Sequence, residues 1–426
     1  MQNNSYMQKA TRFLFYFILI AFIVDAFSLV LGQLSMHGED SAADSGTIYI
    51  KISFLFNIVV SFCSIYCFII YHKRFPFIIN ACYLLMVSLV FIASFDDLSL
   101  FSAIPTKFYS PKGIGTWINF GLLYFAAETA YTERLFKYFK YLCTFLFVFN
   151  LVRIGLLGSV SNRSAALNAI RDTTVTLLWV YPFFFLDDDD KTNIAKLIKY
   201  GSIMALAFFA FAIASRSYLV IMAVILFIKL RRDLKEGRSY FLLAMMAFLV
   251  LFAAYYIISN LDKFGTLKDL STVFSGRMGE DSRSSQIKEF LDQFDMRKLF
   301  KGVGPSATWN WSGDRKAPYE WLDNQYLLAI WWFGLQTCIV YFIYLVYSLF
   351  RKNPLKLLRV TNAKITIFFW ILACGGFAIY VSFSSSAFYY FITLLIGLVN
   401  VNIRQVTYYQ VVNEQIDNQN AYKAAS

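Results

Sequence analysis

The sequence is poor in histidine and in charge. Two histidines, His37 and His72, are present among 426 residues, which argues against a metal site with several histidine ligands. Charged side chains make up 15% of the chain, whereas 58% of its residues are hydrophobic. A soluble protein of this size does not carry so much apolar surface. The composition therefore indicates a membrane protein.

The sequence shows no signal-peptide cleavage site and no cysteine spacing typical of disulfides or zinc sites. The first apolar run has no small-residue cleavage site after it, so we interpret it as a retained membrane helix. The cysteines show neither a disulfide framework nor zinc-ligand spacing, and we interpret them as small core residues. They all lie inside apolar runs: Cys63, Cys67, Cys82, Cys143, Cys338 and Cys374.

Apolar runs recur along the whole chain, and several approach the length needed to cross a bilayer. They predict an all-α fold, a polytopic bundle of about twelve membrane-spanning helices. The predicted spans are 13–31, 48–71, 75–95, 114–131, 136–158, 173–186, 194–214, 218–230, 241–258, 326–350, 365–383 and 387–400. The bundle is expected to occupy residues 1–400, followed by a polar cytoplasmic tail at 401–426.

The loops between these runs predict the orientation. Short basic loops face the cytoplasm by the positive-inside rule, and they occur here at 71–75, 131–140, 229–238 and 351–359. The intervening loops at 32–47 and 95–113 are expected to face outward. Both termini then lie in the cytoplasm. The net charge of +12 comes largely from these short loops, so we interpret it as a signal that orients the membrane helices. Nucleic acid is therefore not an expected partner.

One outward loop, 259–320, is far longer than the others. Loops of this length are usually functional. Within it, residues 284–300 place Ile287, Phe290, Leu291 and Phe294 on one face of a predicted amphipathic helix. Such a helix could lie on the membrane surface or cap the bundle.

Two arginines lie inside apolar sequence, at the predicted outer ends of their spans. Arg216 stands between Ser215 and Ser217, and Arg153 lies within FNLVRIGLLG. A charge at helix-centre depth costs about 2.5–3.5 kcal/mol, and less near the interface. These arginines could reach outer headgroups. Alternatively, they converge on an anion such as a lipid pyrophosphate, because guanidinium forms paired hydrogen bonds with phosphate.

Four stretches together resemble the superfamily of bacterial O-antigen polymerases (Wzy-type) and O-antigen ligases. They are ASRSYL (214–219), SGRMGEDSR (275–283), LFKGVGPSATW (299–309) and EWLDNQYLLAIWWFGLQ (320–336). The resemblance covers residues 194 to 350. The positions that match the family pattern are Arg216, Arg277, Arg283, Gly302, Gly304, Asp323, Asn324 and Gly334.

At one position this chain departs from the family pattern, and that position distinguishes the ligase branch from the polymerase branch. The ligase branch carries a histidine, held to be its catalytic base, immediately before the asparagine. This chain has Asp323 at that position. The polymerase branch tolerates the difference, so the resemblance favours a polymerase over a ligase.

The resemblance implies a metal-independent glycosyl transfer, without a cofactor, at the periplasmic face of the bacterial inner membrane. The growing glycan would pass from undecaprenyl pyrophosphate to another lipid-linked repeat unit. The implied partners are these lipid-linked oligosaccharides and membrane lipid. A protein that regulates chain length could be a further partner. Arg216, Arg277 and Arg283 would stabilise the pyrophosphate. Arg153, which is not part of the resemblance, is a further candidate for pyrophosphate binding because it lies inside apolar sequence.

The remaining site residues each have two interpretations. Asp323 could take the proton from the acceptor hydroxyl, or cap the following helix. Asn324 and Tyr326 could bind sugar or phosphate, or complete that cap. Gly302 and Gly304 could permit a tight turn or direct N–H groups at phosphate. Trp309, Trp311 and Trp321 could stack on sugars or belong to an interfacial aromatic belt.

A repeat-unit flippase is the main rival from another functional class. It would also bind a lipid pyrophosphate in a cationic cavity. The single long outward loop and the absence of a visible internal repeat argue against a carrier. The sequence does not distinguish between an O antigen, a common antigen and a capsule as the product.

Overall fold

The computed structural model is almost entirely helical. It describes residues 2–35, 42–95, 114–157, 173–174, 177–178, 180–187, 193–212, 216–235, 282–305, 307–310, 322, 324–353, 357–377 and 387–402. About 89% of the structure is helical, and these described residues contain no β-strand. The predicted all-α fold is therefore confirmed.

The helices of the described residues are numbered here in chain order. They are α1 (Gln2–Ser35), α2 (Ala42–Tyr71), α3 (Phe77–Phe95), α4 (Ile114–Ile118), α5 (Thr129–Leu157), α6 (Asn193–Ala212), α7 (Arg216–Lys235), α8 (Ser282–Leu291), α9 (Met296–Lys301), α10 (Gln325–Phe333), α11 (Leu335–Phe350), α12 (Leu358–Leu372) and α13 (Ala387–Asn400). A 3-10 stretch, Asn119–Ala127, continues α4, and a π-helical turn, Ala373–Phe377, continues α12.

Several helices have the length and composition of membrane spans. Within the described ranges, three segments are long and apolar enough to cross a membrane: Phe77–Ser94, Thr129–Arg153 and Leu358–Gly375. Shorter apolar helices run over Ile114–Ala127, Ile198–Ala210, Leu335–Phe350 and Tyr389–Asn400. The predicted span at 241–258 lies outside the described residues. The total of twelve spans therefore stays a prediction.

The helix α4 and its 3-10 continuation lie at the centre of the bundle, where every residue from 114 to 127 is buried. Polar groups within this segment are bonded to neighbouring helices. Ser61 donates to the Asn119 side-chain oxygen at 2.8 Å, and Tyr83 donates to the Ile118 carbonyl at 3.0 Å. Because the surrounding rings are apolar, these bonds offset the cost of burying polar groups.

Charged and amide side chains tie the helices together at one end of the bundle, which we call the Arg359 end. Arg359, in the first turn of α12, forms ion pairs with Glu133 of α5 and with Asp187, the latter at 3.2 Å. Arg351 donates to the Asn402 side-chain oxygen at 2.6 Å. The ends of α11 and α13 and the start of α12 therefore meet here.

The predicted span over 326–350 is not one continuous helix, because the chain breaks at Gly334 into α10 and α11. Gly334 has a φ of +84°, in the left-handed region. The long loop supplies hydrogen-bond donors to carbonyl groups at the end of α10. Val303 N–H donates to the Trp331 carbonyl at 2.6 Å, and Gly304 N–H donates to the Trp332 carbonyl at 3.1 Å. We call the end of the bundle that holds this break the Gly334 end.

Two glycines allow the loop backbone to cross the break at close range. A β-carbon on Gly302 would lie 2.6 Å from the Trp332 carbonyl oxygen, and one on Gly334 would overlap the Phe300 carbonyl. Gly302 also has a positive φ, +78°. Both positions therefore require glycine for space as well as for backbone conformation.

The predicted amphipathic helix at 284–300 is two helices, α8 and α9, separated by a turn. Asp295 caps α9 by accepting from the Lys298 N–H at 2.8 Å, which lowers the pKa of this carboxyl group. The single apolar face is also wrong, since Phe290 is fully buried whereas Leu291 is 47% exposed. Phe290 contacts Trp331 at 5.3 Å, so α8 caps the bundle.

The crossing predicts unequal effects of alanine at neighbouring glycines. Gly302→Ala should lower the thermal unfolding midpoint of the purified protein more than Gly304→Ala. Both changes strain a left-handed backbone, by about 1–2 kcal/mol. Gly304, with a φ of +114°, has open space around its missing β-carbon, whereas Gly302 does not. Equal midpoints for the two variants would contradict the close crossing.

Candidate functional site

Helix lengths place Arg216 away from the Arg359 end. Arg216 is the first residue of α7, and Arg232 near the end of that helix donates to Asn362 of α12 at 2.7 Å. At about 1.5 Å per residue, Arg216 lies about 24 Å further along the helix axis. Its backbone is therefore at the Gly334 end of the bundle. The Arg216 side chain lies outside the described residues.

Arg153 is a buried cation near the end of α5. It lies about 30 Å along the helix from Glu133, and hence far from the Arg359 end. The side chain is 8% exposed, and its guanidinium carbon lies 5.6 Å from the centre of the Phe149 ring. A cation–π contact of this kind stabilises a charge that has lost its water.

A buried polar cluster lies beside Arg153, and the sequence reasoning missed it. Asn150 accepts from the Thr173 hydroxyl at 2.7 Å and donates to the Thr174 hydroxyl at 3.1 Å. All three side chains are fully buried. The signal was present, because Asn150 precedes Arg153 by three residues and the two share a helix face. This part of α5 is therefore polar at a depth where its neighbours are apolar.

Asn324 is the N-cap residue of α10. Its side-chain oxygen accepts from the N–H groups of Tyr326 and Leu327, both at 3.1 Å, and its amide donates to the Gly375 carbonyl at 3.2 Å. Asn324 therefore completes the cap and also joins α10 to the π-helical turn. Since Asn324 occupies the N-cap position, the interpretation of Asp323 as the N-cap is wrong. The Asp323 residue itself lies outside the described part of the chain.

Tyr326 holds the first turn of α10 against the end of α12. Its hydroxyl donates to the Ile371 carbonyl at 3.1 Å. The next residues, Ala373–Phe377, form the π-helical turn, a feature frequently found at functional sites. The sequence reasoning missed this turn, although the adjacent Gly375 and Gly376 inside an apolar run were a signal for an irregular helix.

The Gly302–Gly304 segment uses its N–H groups within the protein. Gly302 N–H donates to the Lys298 carbonyl at 2.9 Å, and the next two N–H groups donate to the end of α10. Of the two interpretations of these glycines, the contacts favour the tight turn. In this arrangement the three N–H groups are not directed at a ligand.

Trp309 packs inside the loop cap, so both of its sequence-based interpretations are wrong. It is 1% exposed, and its ring meets Phe290 at 5.2 Å, edge to face. It therefore neither stacks on a sugar nor belongs to an interfacial belt in this structure. Trp311 and Trp321 lie outside the described residues.

The remaining predicted site residues are placed in part. Arg283 belongs to α8, but its side chain lies outside the described residues, as does all of Arg277. The structure thus brings Gly302, Gly304 and Asn324 together around α10. It places the backbones of Arg153 and Arg216 toward the same end of the bundle.

Comparisons with known proteins add no relative. The chain matches no family model, no curated protein and no solved structure.

The two roles of Asn324 can be separated by hydrogen exchange. Asn324→Asp keeps the acceptor for Tyr326 and Leu327 but loses the donor to Gly375. We expect faster exchange over residues 373–377 in this variant, with the first turn of α10 as protected as in the wild type. Asn324→Ala should increase exchange in both segments, because capping groups contribute about 0.5–2 kcal/mol. Unchanged exchange over 373–377 in the aspartate variant would contradict the coupling.

Proposed function

We propose that the chain is an O-antigen polymerase of the bacterial inner membrane. It transfers a glycan from undecaprenyl pyrophosphate to the terminal sugar of another lipid-linked repeat unit, without a metal ion. The reaction takes place at the Gly334 end of the bundle, which faces the periplasm.

The observation that carries this proposal is the meeting of separate motif segments around α10. Two of the four segments that carry the family resemblance, 299–309 and 320–336, contact each other directly. Gly302–Gly304 packs on the end of α10, whose start is capped by Asn324 and which ends at Gly334. The helix that begins with Arg216 starts toward the same end of the bundle. Residues that the family resemblance groups together therefore also lie toward one end of the structure, which supports a common role for them.

The expected orientation is supported by contacts at the Arg359 end. Loops with an excess of Lys and Arg face the cytoplasm. Four loops were expected there, at 71–75, 131–140, 229–238 and 351–359. Arg232, in the third of them, donates to Asn362 of α12 at this end. Arg359 pairs with Glu133, and Asn402 N–H donates to the Arg74 carbonyl at 3.0 Å. One membrane face for all four loops is consistent with these contacts.

The proposed chemistry gives a role to three arginines and to Asp323. The acceptor hydroxyl attacks the anomeric carbon of the donor, a glycosidic bond forms, and the bond to the pyrophosphate breaks. Arg216, Arg277 and Arg283 stabilise the charge on the leaving undecaprenyl pyrophosphate. Asp323 accepts the hydroxyl proton. The capping role of Asn324 supports this assignment, because α10 needs no cap from Asp323.

The lipopolysaccharide ladder on a gel tests the proposal. A strain that lacks the gene, or carries Arg216→Ala, should show a single repeat unit on lipid A–core and no ladder. Arg216→Lys should fail almost as badly, because paired guanidinium donors matter as well as charge. As a control, Arg231→Ala changes an exposed arginine near the other end of α7 and should leave the ladder intact.

Other gel patterns would contradict the proposal in distinct ways. Lipid A–core without any repeat unit would indicate a ligase or a flippase. A full ladder in the Arg216→Lys strain would contradict bidentate phosphate binding by Arg216.

A further inference from the structure

The helix α9 and the turn after it expose apolar side chains on one face. Met296 is 74% exposed, Phe300 54% and Val303 44%. Met296 and Phe300 are four residues apart in α9 and share one face of the helix, and Val303 follows in the turn after it. By contrast, Phe290 of α8 and Phe294 of the turn after it pack on Trp331 in the cap. The exposed face is therefore a surface separate from the cap.

Basic residues flank this apolar face. Arg297 and Lys301 are exposed, and Lys298 is partly so. Residues 296–303 contain no acidic residue. Apolar side chains bordered by Lys and Arg are the combination that binds an anionic membrane surface.

The length of α11 sets the depth of this segment. Its 16 residues span about 24 Å, whereas the hydrocarbon core is about 30 Å thick. At the far end of α11, Phe350 is 80% exposed and is followed by Arg351 and Lys352, which suits the opposite membrane interface. The near boundary of the hydrocarbon core then lies at or slightly beyond Gly334.

The crossing at Gly334 places α9 at that boundary. The Phe300 carbonyl is packed directly on Gly334, with no room for a β-carbon between them. Below the crossing, α11 exposes Ile339, Phe342 and Ile343, each by 45–49%. Apolar side chains are therefore exposed both on α9 and on the helix whose start it crosses.

We propose that residues 296–303 form an interfacial anchor for an anionic phospholipid leaflet. Met296, Phe300 and Val303 insert among the upper acyl chains, while Arg297 and Lys301 bind lipid phosphates. The inference rests on the membrane location given under the proposed function. The anchor fixes the long loop at headgroup depth, where the pyrophosphate of a lipid-linked donor would also lie.

Spin labels at single introduced cysteines test the anchor in the full-length protein. The six native cysteines are buried, so exposed sites can be labelled selectively. Phe300→Cys is compared with Asp292→Cys, an exposed polar site in the same cap, and with Ile339→Cys on α11. The labelled proteins are placed singly in nanodiscs of phosphatidylglycerol and phosphatidylcholine. Accessibility to oxygen and to a water-soluble nickel chelate is then measured.

The anchor predicts a several-fold higher ratio of oxygen to nickel accessibility at Phe300→Cys than at Asp292→Cys, approaching that at Ile339→Cys. Equal ratios at 300 and 292, with a lipid-like label at 339, would overturn the anchor and leave the membrane location intact. A water-exposed label at 339 would overturn both. Spin–spin broadening at 300 that grows when two copies share a disc would indicate a second copy on this face, and would also overturn the anchor.

A second comparison tests whether the anchor requires the positive charges of Arg297 and Lys301. The double change Arg297→Gln and Lys301→Gln should lower the ratio at Phe300→Cys in phosphatidylglycerol discs. It should have little effect in discs of phosphatidylcholine alone. The same effect in both lipids would show that these cations do not recognise anionic headgroups, and would overturn that part of the proposal.

Discussion

Backbone hydrogen bonding at the Gly334 break is the constraint on which the arrangement of this end of the bundle depends. Within a bilayer, irregular backbone is tolerated where protein partners satisfy its polar groups. Here the loop supplies them, since Val303 and Gly304 donate to the last carbonyls of α10. This arrangement is possible because glycine at 302 and 334 lets the two backbones touch. The long loop is thereby attached to the bundle at a defined point.

The break makes α10 a separate short helix that ends at Gly334. Asn324 caps the start of this helix and also bonds to Gly375. Tyr326 adds a second link to α12. In the proposed polymerase, these contacts hold α10 in position. The arginines are expected near the periplasmic face of the inner membrane, and Asp323 directly precedes the capping residue Asn324. At the opposite end, the Arg359 ion pairs hold together the segments expected in the cytoplasm.

Composition and periodicity were sufficient to predict the all-α fold and some helix bounds. The predicted span 75–95 corresponds to Phe77–Phe95, and 387–400 to Ala387–Asn400. The break at Gly334 could not be predicted, because an isolated glycine is tolerated within a helix. Its left-handed conformation depends on contact with residues 300–304, far away in sequence. Similarly, Asn324 was identified from its motif, but its partner at Gly375 is set by tertiary packing, as is the burial of Trp309.

Reconstitution of the reaction tests the central claim most directly. Purified protein in proteoliposomes is given a single lipid-linked repeat unit of the host glycan, and the products are separated by size. The account predicts a ladder of longer glycans with matched release of undecaprenyl pyrophosphate, in the presence of a chelator, and no ladder with Asp323→Asn. Repeat units that cross the membrane without lengthening, or that lengthen equally with the Asp323→Asn protein, would contradict it.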